Sequence, residues 1–205
     1  MLKLYYSPGA CSLSPHIALF EAGLQFEIEK VDTKAKKTAS GANYLDINPN
    51  GYVPALQIAE GQVITEGPAI VQWIADQKPE THLAPPNGTF ERTRLQQWLN
   101  FISTEIHKSY SPLFSAEVPD AYKTMTKDKL FKRYAYVNDQ LKGKQFLLGN
   151  HFTVADGYLF TMLSWADRMK FDLSAMPNLL AYKARVAARP KVQEALNKEG
   201  LLKAA

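Results

Sequence analysis

Leu2, Leu4 and Tyr6 alternate with Lys3 and Tyr5 at the start of the chain, the two-residue period of a short strand. Pro8-Gly9 marks a turn. Leu13, Ile17, Phe20 and Leu24 follow at spacings of four, three and four, the apolar stripe of a helix. Ser12 or Ser14 is placed to cap that helix, Pro15 suits its first turn and Gly23 its end. Phe26 and Ile28 then alternate with Glu27 and Glu29 in a second strand, so strand, helix and strand predict a parallel crossover unit. Residues 34–48 read as irregular or weakly helical. The run from Val53 to Ile58 predicts a third strand that begins at Pro54, and Val63-Ile64 a short fourth one. The turn Ala59-Glu60-Gly61-Gln62 joins these two into an antiparallel hairpin. Glu66-Gly67-Pro68 opens a second helix through Ile70, Val71, Ile74 and Ala75.

Beyond Thr89 the period is helical throughout. Leu95, Trp98, Leu99, Ile102 and Ile106 line one helix, expected to end before Pro112. Leu130, Tyr134, Val137 and Leu141 line another, closed by Gly143. Thr153-Val154-Ala155-Asp156 is a capping box in the broad Thr-x-x-acidic sense, opening an apolar helix past Trp165. A further helix carries Leu179, Tyr182 and Val186 and stops before Pro190, and a last short one runs from Val192 to Leu196. The pattern predicts an α/β unit over residues 1–80, a linker over 81–88 and an all-helical unit over 89–205.

Composition narrows the function. Of 205 residues 46% are hydrophobic and 21% charged, which excludes global disorder and supplies a sizeable core. The single cysteine excludes an internal disulfide framework and a four-cysteine zinc site, and four scattered histidines argue for no metal. No apolar run is long enough for a membrane span, nothing resembles a signal peptide, and a reducing cytoplasm is the expected compartment. Net charge is +4, divided unevenly: residues 1–80 carry 6 basic and 9 acidic side chains, residues 81–205 carry 18 and 11. The densest basic run, Lys123, Lys127, Lys129, Lys132 and Arg133, reads as a solvated helix face. No zinc finger, RNA-binding motif or phosphate loop accompanies it, so nucleic acid is not an expected partner.

Four places carry candidate chemistry. Cys11 follows the Pro-Gly turn and precedes the first helix, at the sheet edge where α/β proteins place their sites. Helix-start amides there favour a thiolate, which predicts a thiol pKa below the ordinary ~8.5. Val53-Pro54 sits at a strand start; a cis bond there would turn the Val53 backbone outward to pair with an extended, peptide-like ligand, whereas the dipeptide alone favours trans. Glu66-Gly67 lies at a strand-to-helix junction that suits a ligand ammonium and carboxylate, or Glu66 serves only as an acidic residue at a helix N-terminus. His107-Lys108 stands at a helix end, where His107 serves either the helix dipole or as a base for Cys11. His16 and His82 are weaker candidates. Tyr6, Tyr110 and Trp165 are aromatics that suit either a pocket or a core.

These residues also stand in familiar runs. Tyr5-Tyr6-Ser7-Pro8-Gly9-Ala10-Cys11-Ser12-Leu13-Ser14-Pro15-His16 closely resembles the opening of the bacterial, beta-class glutathione transferases. Asn48-Pro49-Asn50-Gly51-Tyr52-Val53-Pro54, Thr65-Glu66-Gly67, Trp98-Leu99-Asn100-Phe101, His107-Lys108 and Phe152-Thr153-Val154-Ala155-Asp156 resemble that class in the same order, over essentially the whole chain. The resemblance implies an α/β thioredoxin-like N-terminal domain, an all-α helical-bundle C-terminal domain, a homodimer and a cis bond at Pro54. It implies glutathione as co-substrate: Cys11 near its sulfur, Lys36 near its glycyl carboxylate, and the Val53 backbone on its cysteinyl part beside Pro54. Glu66 and Gly67 would take the γ-glutamyl end. Tyr6, Asn100 and the segment Thr104-Glu105-Ile106-His107 complete the implied site, part of that segment acting across the dimer, with His107 as the catalytic or sulfur-orienting histidine. The chain departs from the pattern at Asn50, where Lys is usual, at Tyr52, where Gln is, and at Gly157, where Ala is.

The expected function is conjugation of glutathione to small hydrophobic electrophiles, a detoxifying role. Two rivals remain: glutathione-dependent thiol-disulfide exchange through a Cys11 mixed disulfide, and non-catalytic binding of apolar ligands.

Overall fold

The computed structural model describes residues 1–202. Its first part is a mixed five-stranded sheet: β1 (Leu2–Tyr6), β2 (Phe26–Asp32), β3 (Lys37–Thr38), β4 (Ala55–Ala59) and β5 (Gln62–Thr65), in the order β3-β2-β1-β4-β5. β1 and β2 run parallel, Leu2 opposite Phe26, and the helix α1 (Leu13–Glu21) crosses between them as the period change predicts. β4 pairs antiparallel with both β1 and β5, and α2 (Gly67–Gln77) follows. The segment expected to be irregular holds the two residues of β3 and a single 3-10 turn, Tyr44–Asp46.

Alternation along β1 divides the core. Leu4 and Tyr6 face the helices, whereas Tyr5 joins Val31, Tyr44, Val53 and Ala55 in a smaller cluster on the other face. The larger cluster is continuous from β1 and α1 into the helices that follow. Those are α3 (Phe90–Phe101), α4 (Ser111–Phe114), α5 (Asp120–Gln140), α6 (Val154–Arg168), α7 (Pro177–Ala187) and α8 (Pro190–Lys198). Both halves therefore share one apolar core, and α6, buried along most of its length, is its axis.

Two sequence expectations are corrected here. Pro112 does not end the helix of Leu95 and Ile106. The chain stays helical through a six-residue π segment, Ile102–His107, a 3-10 turn, Lys108–Tyr110, and α4, with Pro112 in the first turn of α4, where its missing N–H costs nothing. Ser12 makes no side-chain cap on α1. Its hydroxyl instead accepts from the Ser7 amide at 3.1 Å and donates to the Ser7 carbonyl at 3.2 Å, closing the turn that leads to Cys11.

That turn is anchored by the helical half. The Gly9 amide donates to Glu199 Oε2 and the Gly9 carbonyl accepts from Trp165 Nε1, both at 2.8 Å. Gly9 has φ +68°, and a Cβ there would stand 2.8 Å from the Arg168 guanidinium, so glycine satisfies both the backbone and the space. Glu199 Oε1 also bonds His16 Nδ1 at 2.8 Å with both side chains fully buried, which gives His16 a structural place on the buried face of α1. Across the linker, Arg92 grips both carboxylate oxygens of Asp76 at 2.8 Å, and the Val154 amide donates to the Leu83 carbonyl.

Candidate active site

A cleft of about 570 Å³ opens where the edge of the sheet meets the helical half. Cys11, Val53, Pro54, Glu66 and Gly67 line it from the first half, and Thr104, His107 and Tyr158 from the second. Each is delivered by a local rule. Cys11 sits between the anchored turn and α1. The Val53–Pro54 peptide is cis and stands just before β4, where a missing N–H removes no ladder bond. Glu66 ends the β5–α2 connection at φ +64°, ψ 110°, a conformation that L-residues rarely hold and that clusters at ligand sites. Gly67 begins α2, so its amide has no partner within the helix, and open space faces its Cα. The π segment widens the helical path; Ile102 and Ile106 stay in the core while Ser103, Thr104 and His107 face the cleft.

The thiol is not in the state the helix-start argument predicts. Cys11 Sγ lies 3.2 Å from the Val53 carbonyl oxygen, placed to donate its proton. Burial pushes the Cys11 thiol up to about 12; its own amide and that of Ser12 pull it down less, and the Glu66 charge adds to the rise. Desolvation outweighs the helix-start amides, so in the free protein Cys11 is a protonated hydrogen-bond donor. His107 is likewise shifted. Burial, assisted by the Lys108 charge, lowers its imidazole to about 4, so the ring is neutral at pH 7. Its Nδ1 is 2.6 Å from the Tyr158 hydroxyl, and Trp165 meets the ring edge-on at 5.1 Å.

Other sequence candidates lie elsewhere. Tyr6 is buried against the His16 ring, and Ile106 is wholly in the core. Lys36, at φ +55°, donates from Nζ to the Gly51 carbonyl at 2.8 Å and lies over the Tyr52 ring, beyond the residues that line the cleft. Asn100 is exposed at the end of α3. Glu105 turns to Arg133 at 2.7 Å and Lys129 at 3.8 Å, which occupies part of the basic run on α5. Tyr110 and Trp165 are core residues: the Tyr110 hydroxyl meets that of Tyr134 at 2.7 Å, and Trp165 bonds Gly9. Their burial removes the observation that favoured apolar-ligand storage.

Tyr158 is a lining residue that sequence reasoning missed, as are Ser103 and Ser111. Tyr158 sits in a helix whose positions are nearly all apolar or buried, and only its hydroxyl marks it. Among the described residues no group of three or more His, Cys, Asp or Glu side chains gathers as a metal site would require, and no helix is long and apolar enough to cross a membrane.

Comparison with known proteins places these features in a family. The pattern described as "Glutathione S-transferase, N-terminal domain" matches residues 9–77, and "Glutathione S-transferase, C-terminal domain" matches residues 101–190. The chain is 44% identical to glutathione S-transferase GstA of Escherichia coli O157:H7, over 98% of this chain and 100% of that one. Its fold is similar to that of a sphingomonad glutathione S-transferase solved in complex with glutathione, with TM-score 0.94 and 44% identity over 98% of this chain and 100% of that one. A beta-class enzyme from Sphingomonas chungbukensis gives TM-score 0.94 at 46% identity, again over 98% and 100% of the two chains.

Proposed function

The chain belongs to the bacterial, beta-class glutathione transferases, and on that premise we propose how its own residues divide the work. The protein conjugates glutathione to electrophiles, and glutathione is its co-substrate. The observation that carries the site reading is the convergence of Cys11, the Val53–Pro54 backbone, Glu66–Gly67 and His107 on one cleft. The donor set fits the tripeptide. The exposed Glu66 carboxylate holds the γ-glutamyl ammonium, and the free helix-start amide of Gly67 receives the γ-glutamyl carboxylate. The Val53 carbonyl takes the cysteinyl N–H, displacing the Cys11 thiol, which then donates to the glutathione sulfur. Lys36, whose Nζ lies over the ring of the cleft-lining Tyr52, meets the glycyl carboxylate, and Thr104 supplies a hydroxyl from the helical half.

Catalysis follows from these contacts. The glutathione thiol releases its proton to solvent, and hydrogen bonds from Cys11 and His107 stabilise the thiolate. The sulfur then attacks an electrophilic carbon; a C–S bond forms and the leaving group departs with the electron pair. Because His107 is neutral, it contributes a dipole and not a charge.

The redox alternative needs a Cys11 thiolate, and the raised thiol pKa argues against it. Cys11→Ser decides between them: conjugation is retained under the transferase reading, and complete retention of disulfide reduction removes Cys11 from any redox role. The site itself is tested with Glu66→Gln. Loss of one charge-assisted contact should raise the KM for glutathione about tenfold to a hundredfold with kcat nearly unchanged, and an unaltered KM refutes the assignment.

The homodimer belongs to the same reading. Exposed Tyr52 and Phe90, each more than 70% accessible, are apolar surface that a second copy would cover, and Asn100 and Glu105 would then act from the partner. Sedimentation checks it. Residues 1–80 and 89–205 form the two domains of this reading, with the cytoplasm as compartment and no nucleic-acid partner.

A further inference from the structure

We propose that Tyr158 is a positioning residue for His107: its phenol donates to Nδ1, fixes the ring as the Nε2–H tautomer, and so aims a neutral N–H donor at the glutathione sulfur. The inference rests on the site reading above. Its basis is the 2.6 Å contact between the Tyr158 hydroxyl and His107 Nδ1, made between a residue on α6 and one on the π segment, both lining the cleft with Cys11.

A neutral imidazole at that distance has two arrangements: the phenol donates to Nδ1, or it accepts from Nδ1–H. Two points select the first. Burial holds the phenol well above its usual range and the imidazole well below, so both partners are neutral throughout the working pH range. Between neutral partners a phenol is a stronger donor than an imidazole N–H, and the unprotonated ring nitrogen is the better acceptor. The ring is also packed in place, since Tyr158 at 5.8 Å and Trp165 at 5.1 Å both meet it edge-on. The phenol proton then lies on the bond to His107 Nδ1, which leaves Nε2 as the one N–H of the ring, on the edge away from Tyr158.

This bond also explains why a tyrosine occupies a largely apolar stretch of α6. Tyr158 is 2% exposed, and a buried hydroxyl persists only with partners. Here the partner is His107. Nothing in this arrangement requires Tyr158 to touch glutathione.

The tautomer is read directly by imidazole nitrogen NMR on the wild-type enzyme with glutathione bound. The expected spectrum shows protonated Nε2 and unprotonated Nδ1 for His107; protonated Nδ1 overturns the inference without any variant. The functional arm follows the thiolate absorbance of bound glutathione against pH. Tyr158→Phe should raise the bound thiol pKa and lower kcat/KM roughly fivefold to tenfold, the loss expected of one neutral hydrogen bond, with the KM for glutathione little changed. In a His107→Ala background the same change should add nothing, whereas an equal loss in both backgrounds shows a merely structural role. Should His107→Ala itself leave the thiol titration unaltered, the site reading of His107 fails and this inference with it. A silent Tyr158→Phe beside an effective His107→Ala sinks this inference alone.

Discussion

Cys11 Sγ and the Val53 carbonyl oxygen, 42 residues apart in the chain, lie 3.2 Å from each other in the wall of the cleft. The thiol thus occupies an acceptor that the proposed glutathione pose requires, and the free protein holds its one cysteine protonated. Alkylation of the free protein by iodoacetamide should be slow at pH 7 and rise steadily with pH, with no plateau below about pH 10, since the thiol is pushed up to about 12. A rate plateau near pH 7 would show a thiolate and reverse the account of Cys11. Glutathione should protect the thiol at saturating concentration.

His107 gives a pH prediction of definite sign. Its imidazole falls from 6.5 to about 4 on folding, so the unfolded chain takes up the proton first as pH drops. The stability this residue contributes is complete above pH 6.5 and is lost on acidification towards pH 4. In thermal melts the wild type should lose more stability than His107→Ala over that window. The pH–rate profile should show no limb near 6.5.

The start of α6 is a strong point of the fold. Asp156 Oδ2 accepts from the Thr153 amide at 2.8 Å and hydroxyl at 2.9 Å, and Oδ1 from the Leu147 amide at 2.9 Å and the Tyr182 hydroxyl at 3.0 Å, all in the interior. A cap alone is worth about 1–2 kcal/mol. Asp156→Ala also leaves two buried amides without partners, so we expect a loss of about 3–4 kcal/mol in denaturant unfolding with the site chemistry intact. Burial raises the Asp156 carboxyl to about 6 in spite of those bonds, so this group's contribution falls as pH rises from about 4 to 6.

Gly157 carries the opposite prediction. A Cβ built there would meet Ile17 Cγ2 at 3.4 Å and Phe152 Cζ at 3.6 Å, ordinary contact distances on a residue without positive φ. Gly157→Ala should therefore stabilise the fold by about 0.5–1 kcal/mol, measured by the unfolding midpoint at unchanged slope. A destabilised variant would show that α1 and α6 pack too rigidly to accept the methyl.

Much of this was legible in the chain because periodicity is a local signal. The alternation in Leu2–Tyr6, the stripe of α1 and the Thr153–Asp156 box each appear where the pattern puts them. The helix around His107 was misread because a proline such as Pro112 ends a helix or begins one equally well, and only the π segment before it tells which. The Cys11 thiol was misread for a different reason. Helix-start amides are visible in sequence, whereas the desolvation that defeats them comes from residues brought together only in three dimensions. Tyr158 was invisible on the same ground: its meaning lies in a contact with His107, 51 positions away. The cis bond at Pro54 could be expected from the family resemblance and not from the dipeptide.

Glutathione is expected to lie along Val53–Pro54 with its sulfur between Cys11 and His107, and a crystal structure of the complex decides it. The expected structure has the cysteinyl backbone paired with Val53, the γ-glutamyl group at Glu66 and Gly67, and the sulfur within hydrogen-bonding distance of both Cys11 Sγ and His107 Nε2. A tripeptide bound in the reverse direction, or with its sulfur facing away from both residues, would contradict it.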